Sequence, residues 1–121
     1  MIKNAHVLVI DDNEDILFML KAMLDMKGYR VTIQENTENI KTSIHSLLPD
    51  LILMDMLLSG ADGREVCANL KADKSISHIP IIMISAHPQA RQESIAAGAD
   101  YFLSKPFEIM DLFQTIQRAL V

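Results

Sequence analysis

Three aspartates, a serine and a lysine stand behind short apolar runs of this chain, and together they could perform phosphoryl chemistry. Asp11 and Asp12 follow Val7-Leu8-Val9-Ile10, Asp55 follows Leu51-Ile52-Leu53-Met54, Ser85 follows Ile81-Ile82-Met83-Ile84, and Lys105-Pro106 comes after Tyr101-Phe102-Leu103. Singly, each has an ordinary reading: an acidic pair caps a helix, an aspartate or serine makes a turn, and Lys-Pro ends a strand. Brought together, carboxylates raise one another's pKa unless a cation stands among them. Mg²⁺ suits such a set, because it takes one or two carboxylates and keeps waters that a phosphate oxygen can replace. Asp12 and Asp55 would be direct ligands and Asp11 a water-mediated one. A carboxylate so held can attack phosphorus and become an aspartyl phosphate; Asp55 is the candidate nucleophile. Lys105 and Ser85 would each neutralise one equatorial oxygen, and the ion the third.

Convergence of these residues requires a particular frame. Short apolar runs alternate with helix-length amphipathic segments along the whole chain. Ile16, Leu20, Met23 and Leu24 recur at helical spacing and Gly28 is a stop; Arg30 to Gln34 reads as a strand. A second helix presents Ile40, Ile44, Leu47 and Leu48 and closes at Pro49. Leu51 to Met54 is too continuously apolar for a strand with one wet face and fits a parallel strand covered on both sides. A helix from about Arg64 to Lys71, the strand at Ile81, a weakly marked helix from Arg91 to Ala97 with Ile95 on its inner side, and the strand at Tyr101 follow. The last helix carries Ile109, Leu112, Phe113, Ile116 and Leu120 on one face. Five βα units imply an α/β fold with a doubly wound parallel sheet, whose ligands bind beyond the carboxyl ends of the strands. All five candidate residues fall at that edge.

The bulk properties narrow the function further. At 121 residues the chain is the size of one domain, and its net charge of −5 argues against nucleic acid as a direct partner. No apolar run is long enough to span a bilayer and Met1-Ile2-Lys3-Asn4 opens no signal peptide, so no membrane association and a cytoplasmic location are expected. Cys67 has no second thiol to pair with and reads as a small buried residue. His6, His45, His78 and His87 lie in different elements without zinc-ligand spacing.

With these pieces in place the chain resembles, over its whole length, the receiver domains of two-component response regulators. The resemblance is carried by Val9-Ile10-Asp11-Asp12-Asn13, Pro49-Asp50 through Asp55, Asp62-Gly63, Pro80 through Ser85-Ala86, Gly98-Ala99-Asp100 and Lys105-Pro106-Phe107, in that order. It implies a flavodoxin-like (βα)5 sheet of strand order 2-1-3-4-5, an arrangement for which a receiver domain is one of the standard examples. It further implies that Asp55 is the phosphoacceptor, that Asp11, Asp12, Asp55 and the Leu57 carbonyl hold Mg²⁺, and that Lys105 binds the phosphate. Ser85 and Phe102 would be the switch pair, with Phe102 swinging inward on activation, and Lys105-Pro106 a cis peptide. The implied partners are a histidine kinase or histidine phosphotransferase upstream and an effector protein that reads the last two βα units. Residues 1–121 are expected to form a single receiver domain with no effector domain among them, a switch rather than a turnover enzyme.

The chain departs from the family pattern at Ser59, where proline is common, and at Ala61, where a larger apolar residue is frequent. Thr115 stands where regulators that dimerise through their last elements usually have arginine, so that dimer is not expected. Leu57 and His87, two residues beyond Asp55 and Ser85, flank the path of an attacking water in this family; an apolar Leu57 and a shielding His87 predict slow loss of the phosphoryl group. The competing reading is a small Mg²⁺-dependent phosphohydrolase, but Met56 and Leu57 follow Asp55 where such enzymes place a general acid. A flavin domain of similar topology is disfavoured because Asp11-Asp12 would repel its phosphate.

Overall fold

A computed structural model describes residues 4–58 and 60–121; Met1 to Lys3 and Ser59 lie outside the described residues. The main sheet comprises β1 (His6–Ile10), β2 (Arg30–Gln34), β3 (Leu51–Asp55), β4 (Ile81–Ser85) and β5 (Tyr101–Ser104). Between and after them run α1 (Glu14–Met26), α2 (Ile40–Leu47), α3 (Gly63–Ala72), α4 (Ala90–Ala96) and α5 (Ile109–Leu120). All neighbouring strands are parallel and their order is β2-β1-β3-β4-β5, the expected doubly wound arrangement. A short antiparallel ladder, Leu57–Leu58 with Ala61–Asp62, lies in the loop after β3.

Side chains alternate across a strand with period two, so a continuously apolar run feeds two cores at once. Leu8, Ile10, Ile52, Met54, Met83 and Phe102 face one side, where Ile44, Cys67 and Leu70 of α2 and α3 meet them. Val7, Val9, Leu51, Leu53, Ile82, Ile84 and Leu103 face the other, against Leu17, Leu20 and Leu24 of α1 and Leu112, Phe113 and Ile116 of α5. Each such fully buried aliphatic side chain stabilises the fold by about 1.5–3 kcal/mol, which makes the sheet a stiff platform for its loops. Tyr101 packs on the second side, opposite Phe102, as strand alternation requires.

Local signals set the helix ends. The Asn13 side chain accepts from Ile16 N at 3.1 Å and starts α1, while Gly28, at φ 91°, takes the chain out of it. Asp62 accepts from Arg64 N at 2.9 Å and starts α3. Three expected core positions are corrected. Leu48 is 66% exposed because it adopts the left-handed conformation (φ 46°) that ends α2. Ile95 is 48% exposed; α4 buries Ala90 and Ser94 instead. Ile109, at the first turn of α5, is 42% exposed.

At the amino edge of the sheet, aspartates serve the backbone. Asp50 Oδ2 accepts from His6 N at 2.8 Å, and Asp100 Oδ2 accepts from Ile81 N at 2.9 Å. Lys71 Nζ pairs with Asp100 at 2.7 Å and donates to the carbonyls of Ser77 and Ile79 at 3.1 and 2.9 Å, tying the α3–β4 loop down.

Candidate functional site

The register of the sheet delivers the candidate residues to its carboxyl edge. Ile10 lies beside Met54, Asp55 beside Ile84, and Ser85 beside Ser104, so β1, β3, β4 and β5 end nearly in step. Backbone bonds fix the exits: Asp11 N donates to Gln34 O (3.2 Å), Met56 N to Ile84 O (2.9 Å) and Lys105 N to Ser85 O (2.9 Å).

Asp11, Asp12 and Asp55 each offer a carboxylate oxygen, and the three atoms lie within 4.8 Å of one another. Burial pushes the Asp11 carboxyl above the usual carboxylate range; the Asn13 N–H, donating at 2.9 Å, opposes this, the negative charge of Asp55 adds to it, and Lys105 and Asp12 contribute in opposite directions. Lys105 Nζ stands 3.4 Å from Asp55 Oδ2, where it faces the phosphoacceptor candidate directly. An all-oxygen donor set of this charge and spacing fits Mg²⁺, whose ligand oxygens lie roughly 3–4 Å apart at the usual bond lengths of about 2.0–2.1 Å. A divalent cation bound there would neutralise the carboxylates and offer a phosphate oxygen a coordination position.

Ser85 is at the same edge, buried, but its Oγ is engaged by His87 N at 3.1 Å and not by Asp55. Leu57 lies in the loop after β3, its backbone N 3.4 Å from Asp55 Oδ1 and its side chain 60% exposed. The Lys105–Pro106 peptide is cis. The ring of His87 is turned to α4, where Nδ1 accepts from Gln89 N at 3.2 Å and lies 3.9 Å from Glu93 Oε1. Phe102 is packed into the core at 9% exposure, with the Arg91 guanidinium 5.2 Å from its ring centre. A side chain without a hydroxyl has nothing to hold it in water, and the cation lies over the ring.

Three features of the site escaped sequence reasoning. Gly63, read only as part of a motif, sits so close to the acceptor segment that a Cβ there would lie 2.8 Å from the carbonyl oxygens of both Asp55 and Met56. A glycine at the start of a helix, where most residues are preferred to it, was the available signal. Arg64 bridges Asp62 and Glu93, and Ser94 Oγ donates to Met56 Sδ at 3.7 Å, both linking α4 to the β3–α3 region. Ser59, where the family pattern is broken, lies outside the described residues.

Comparison with known proteins agrees with this geometry. The family model of the response regulator receiver domain matches residues 7–117. The phosphate regulon transcriptional regulatory protein PhoB of Pseudomonas aeruginosa is 34% identical over 116 residues, which are 94% of this chain and 51% of that protein. The structure assigned to a response regulator of Chloroflexus aurantiacus superposes with a TM-score of 0.92 at 30% identity and 98% coverage of both chains. The chemotaxis response regulator CheY4 of Vibrio cholerae gives 0.87 at 29% identity, covering 96% of this chain and 98% of that one. The chain therefore belongs to the response regulator receiver domain family, the phosphorylation-operated switches of two-component signalling. Response regulators receive their phosphoryl groups from histidine kinases, and receiver domains bind Mg²⁺ at an acidic pocket such as this one. The phosphohydrolase alternative finds no support among these matches. The chain spans about half the length of PhoB, whose regulatory activity is that of the longer protein.

Proposed function

We propose that this chain is a phosphorelay receiver in which Asp55 takes a phosphoryl group from a histidine kinase or histidine phosphotransferase. The observation that carries the reading is the convergence of three carboxylates and Lys105 on one point of the sheet edge, with Lys105 Nζ 3.4 Å from Asp55. An Asp55 oxygen forms the new P–O bond as the P–N bond of the donor's phosphohistidine breaks, and the imidazole leaves. Lys105 pairs with one phosphoryl oxygen and Ser85 with another, while Asp11, Asp12, Asp55 and the Leu57 carbonyl hold Mg²⁺. The residues serve one transfer and the slow hydrolysis of the resulting aspartyl phosphate rather than steady turnover.

Readout follows from Ser85. Drawn to a phosphoryl oxygen, it carries its loop and α4 with it, and an effector protein senses the surface formed by α4, β5 and α5. With a net charge of −5 the chain itself has no basic character to offer nucleic acid. Among the described residues no helix is long and apolar enough to cross a membrane, and a cytoplasmic site of action as a single receiver domain is part of the proposal.

The test is intact mass after incubation with acetyl phosphate and Mg²⁺. One added phosphoryl mass is expected, absent in Asp55→Asn and with EDTA. Failure of the wild type both to gain that mass and to retain beryllofluoride would overturn the reading.

A further inference from the structure

The helix that must move is held by few groups. In α4 only Ala90 and Ser94 are buried, and two polar links run from it to the segment that carries Asp55. Ser94 Oγ, fully buried, donates to Met56 Sδ, and Met56 is the residue after Asp55. Glu93 accepts from Arg64 Nη1, and Arg64 is itself immobilised by a fork onto Asp62, with Nε 2.9 and 3.1 Å from the two carboxylate oxygens. Arg64 follows Gly63, which is wedged against the Asp55 and Met56 carbonyls. The anchor of this ion pair is thus part of the acceptor segment itself.

From the other side α4 is tethered to Ser85. His87 N donates to Ser85 Oγ at 3.1 Å, Ala90 N donates to His87 O at 3.1 Å, and Gln89 N is held by the His87 ring. A displacement of Ser85 toward a phosphoryl oxygen would pull on the first turn of α4 through His87, whereas Glu93, in that turn, is held by an arginine anchored on Asp62 at the start of α3. We infer that the Arg64–Glu93 ion pair is a latch that holds α4 in its resting position and opposes the phosphorylated arrangement of the site. The inference rests on the phosphoacceptor reading of Asp55. A contact made only in the resting state weakens any ligand that selects the other state, by the same factor that it stabilises the resting one.

Both side chains are about one third exposed, so the effect is modest. Opening a partly exposed pair should tighten binding by about two- to fivefold. The experiment is calorimetric titration of the whole chain with beryllofluoride in Mg²⁺, comparing wild type, Glu93→Gln, Arg64→Gln, the double variant and Glu65→Gln. Glu65→Gln makes the same charge change beside Arg64 without touching the pair. Glu93→Gln is expected to bind tighter by that factor, Glu65→Gln to match the wild type, and Arg64→Gln to add nothing in the Glu93→Gln background. Unchanged or weaker binding by Glu93→Gln, with only a lower thermal midpoint, would make the pair a structural brace and overturn the latch. No binding by the wild type would instead overturn the reading of Asp55, and the latch with it.

Discussion

The two edges of this sheet use the same residue for opposite ends. At the amino edge Asp50 and Asp100 each accept a backbone N–H from the neighbouring strand, and Asp100 is paired with Lys71. Nearby, Asp73 closes α3 with its carboxyl held below the usual range by hydrogen bonds from Ser75, helped by His45 and Lys41. At the carboxyl edge Asp11, Asp12 and Asp55 crowd together, and Asp11 is pushed the other way, chiefly by burial. One set of carboxylates is spread out among backbone donors and cations and stabilises the fold; the other gathers three negative charges within 4.8 Å beside Lys105, a concentration of like charge that suits a divalent cation.

The widest separation of the edges should come from a pair of substitutions. Asp55→Asn is expected to abolish phosphoryl uptake in the mass assay while lowering the unfolding free energy by no more than about 1 kcal/mol. Asp100→Ala should do the reverse, costing about 1–3 kcal/mol in urea titration by leaving Ile81 N–H without its acceptor and Lys71 without its ion pair, with uptake by the folded protein retained. Loss of uptake in Asp100→Ala under fully folding conditions would break the distinction. Gly63→Ala should blur it, because the new methyl group must displace the Asp55–Met56 backbone. We expect about 1–3 kcal/mol of destabilisation together with slower phosphorylation by acetyl phosphate, two losses that are separate elsewhere.

A gentler change sharpens the chemistry of the carboxyl edge. Leu57, exposed beside Asp55, offers a hydrolytic water no polar atom from its side chain, so Leu57→Asn should speed the decay of the aspartyl phosphate followed by mass. An unchanged or slower decay would remove the proposed cause of a long-lived adduct. The smallest effect belongs to Asp73. Its folded-state pKa lies below its unfolded value, so its contribution is present above the unfolded value, about 3.9, and is lost as pH falls through the folded one. Asp73→Asn should therefore lose less stability than the wild type between about pH 5 and pH 2 in thermal melts. Parallel curves would show that Asp73 is not one of the satisfied carboxylates.

Most of the frame was legible because parallel strands covered on both sides are apolar on both faces, and few structures besides them produce runs such as Leu51 to Met54. The acidic cluster was legible for the same reason: topology places whatever follows such runs at one edge. Side-chain burial at helix ends and on α4 was not. Ile109, at the first turn of α5, is apolar yet exposed, and on α4 Ile95 is exposed while Ser94 is polar and fully buried, because α4 is packed by close approach of small residues and not by an apolar stripe. Pairings between distant residues were equally invisible; nothing local in Arg64 or Glu93 announces a partner 29 positions away. The setting of Phe102 was hidden as well, since a one-dimensional pattern does not show that Arg91 lies over the ring.

Because the sheet is a single layer of backbone with a separate core on each side, the side chains under α1 and α5 share no packing with those under α2, α3 and α4. Substitutions on the two sides should combine additively, as those at sites without common neighbours do. Repacking under α1 and α5 should therefore leave the half that carries Ser94, Met56 and Phe102 undisturbed, so one core can change without the other being rebuilt.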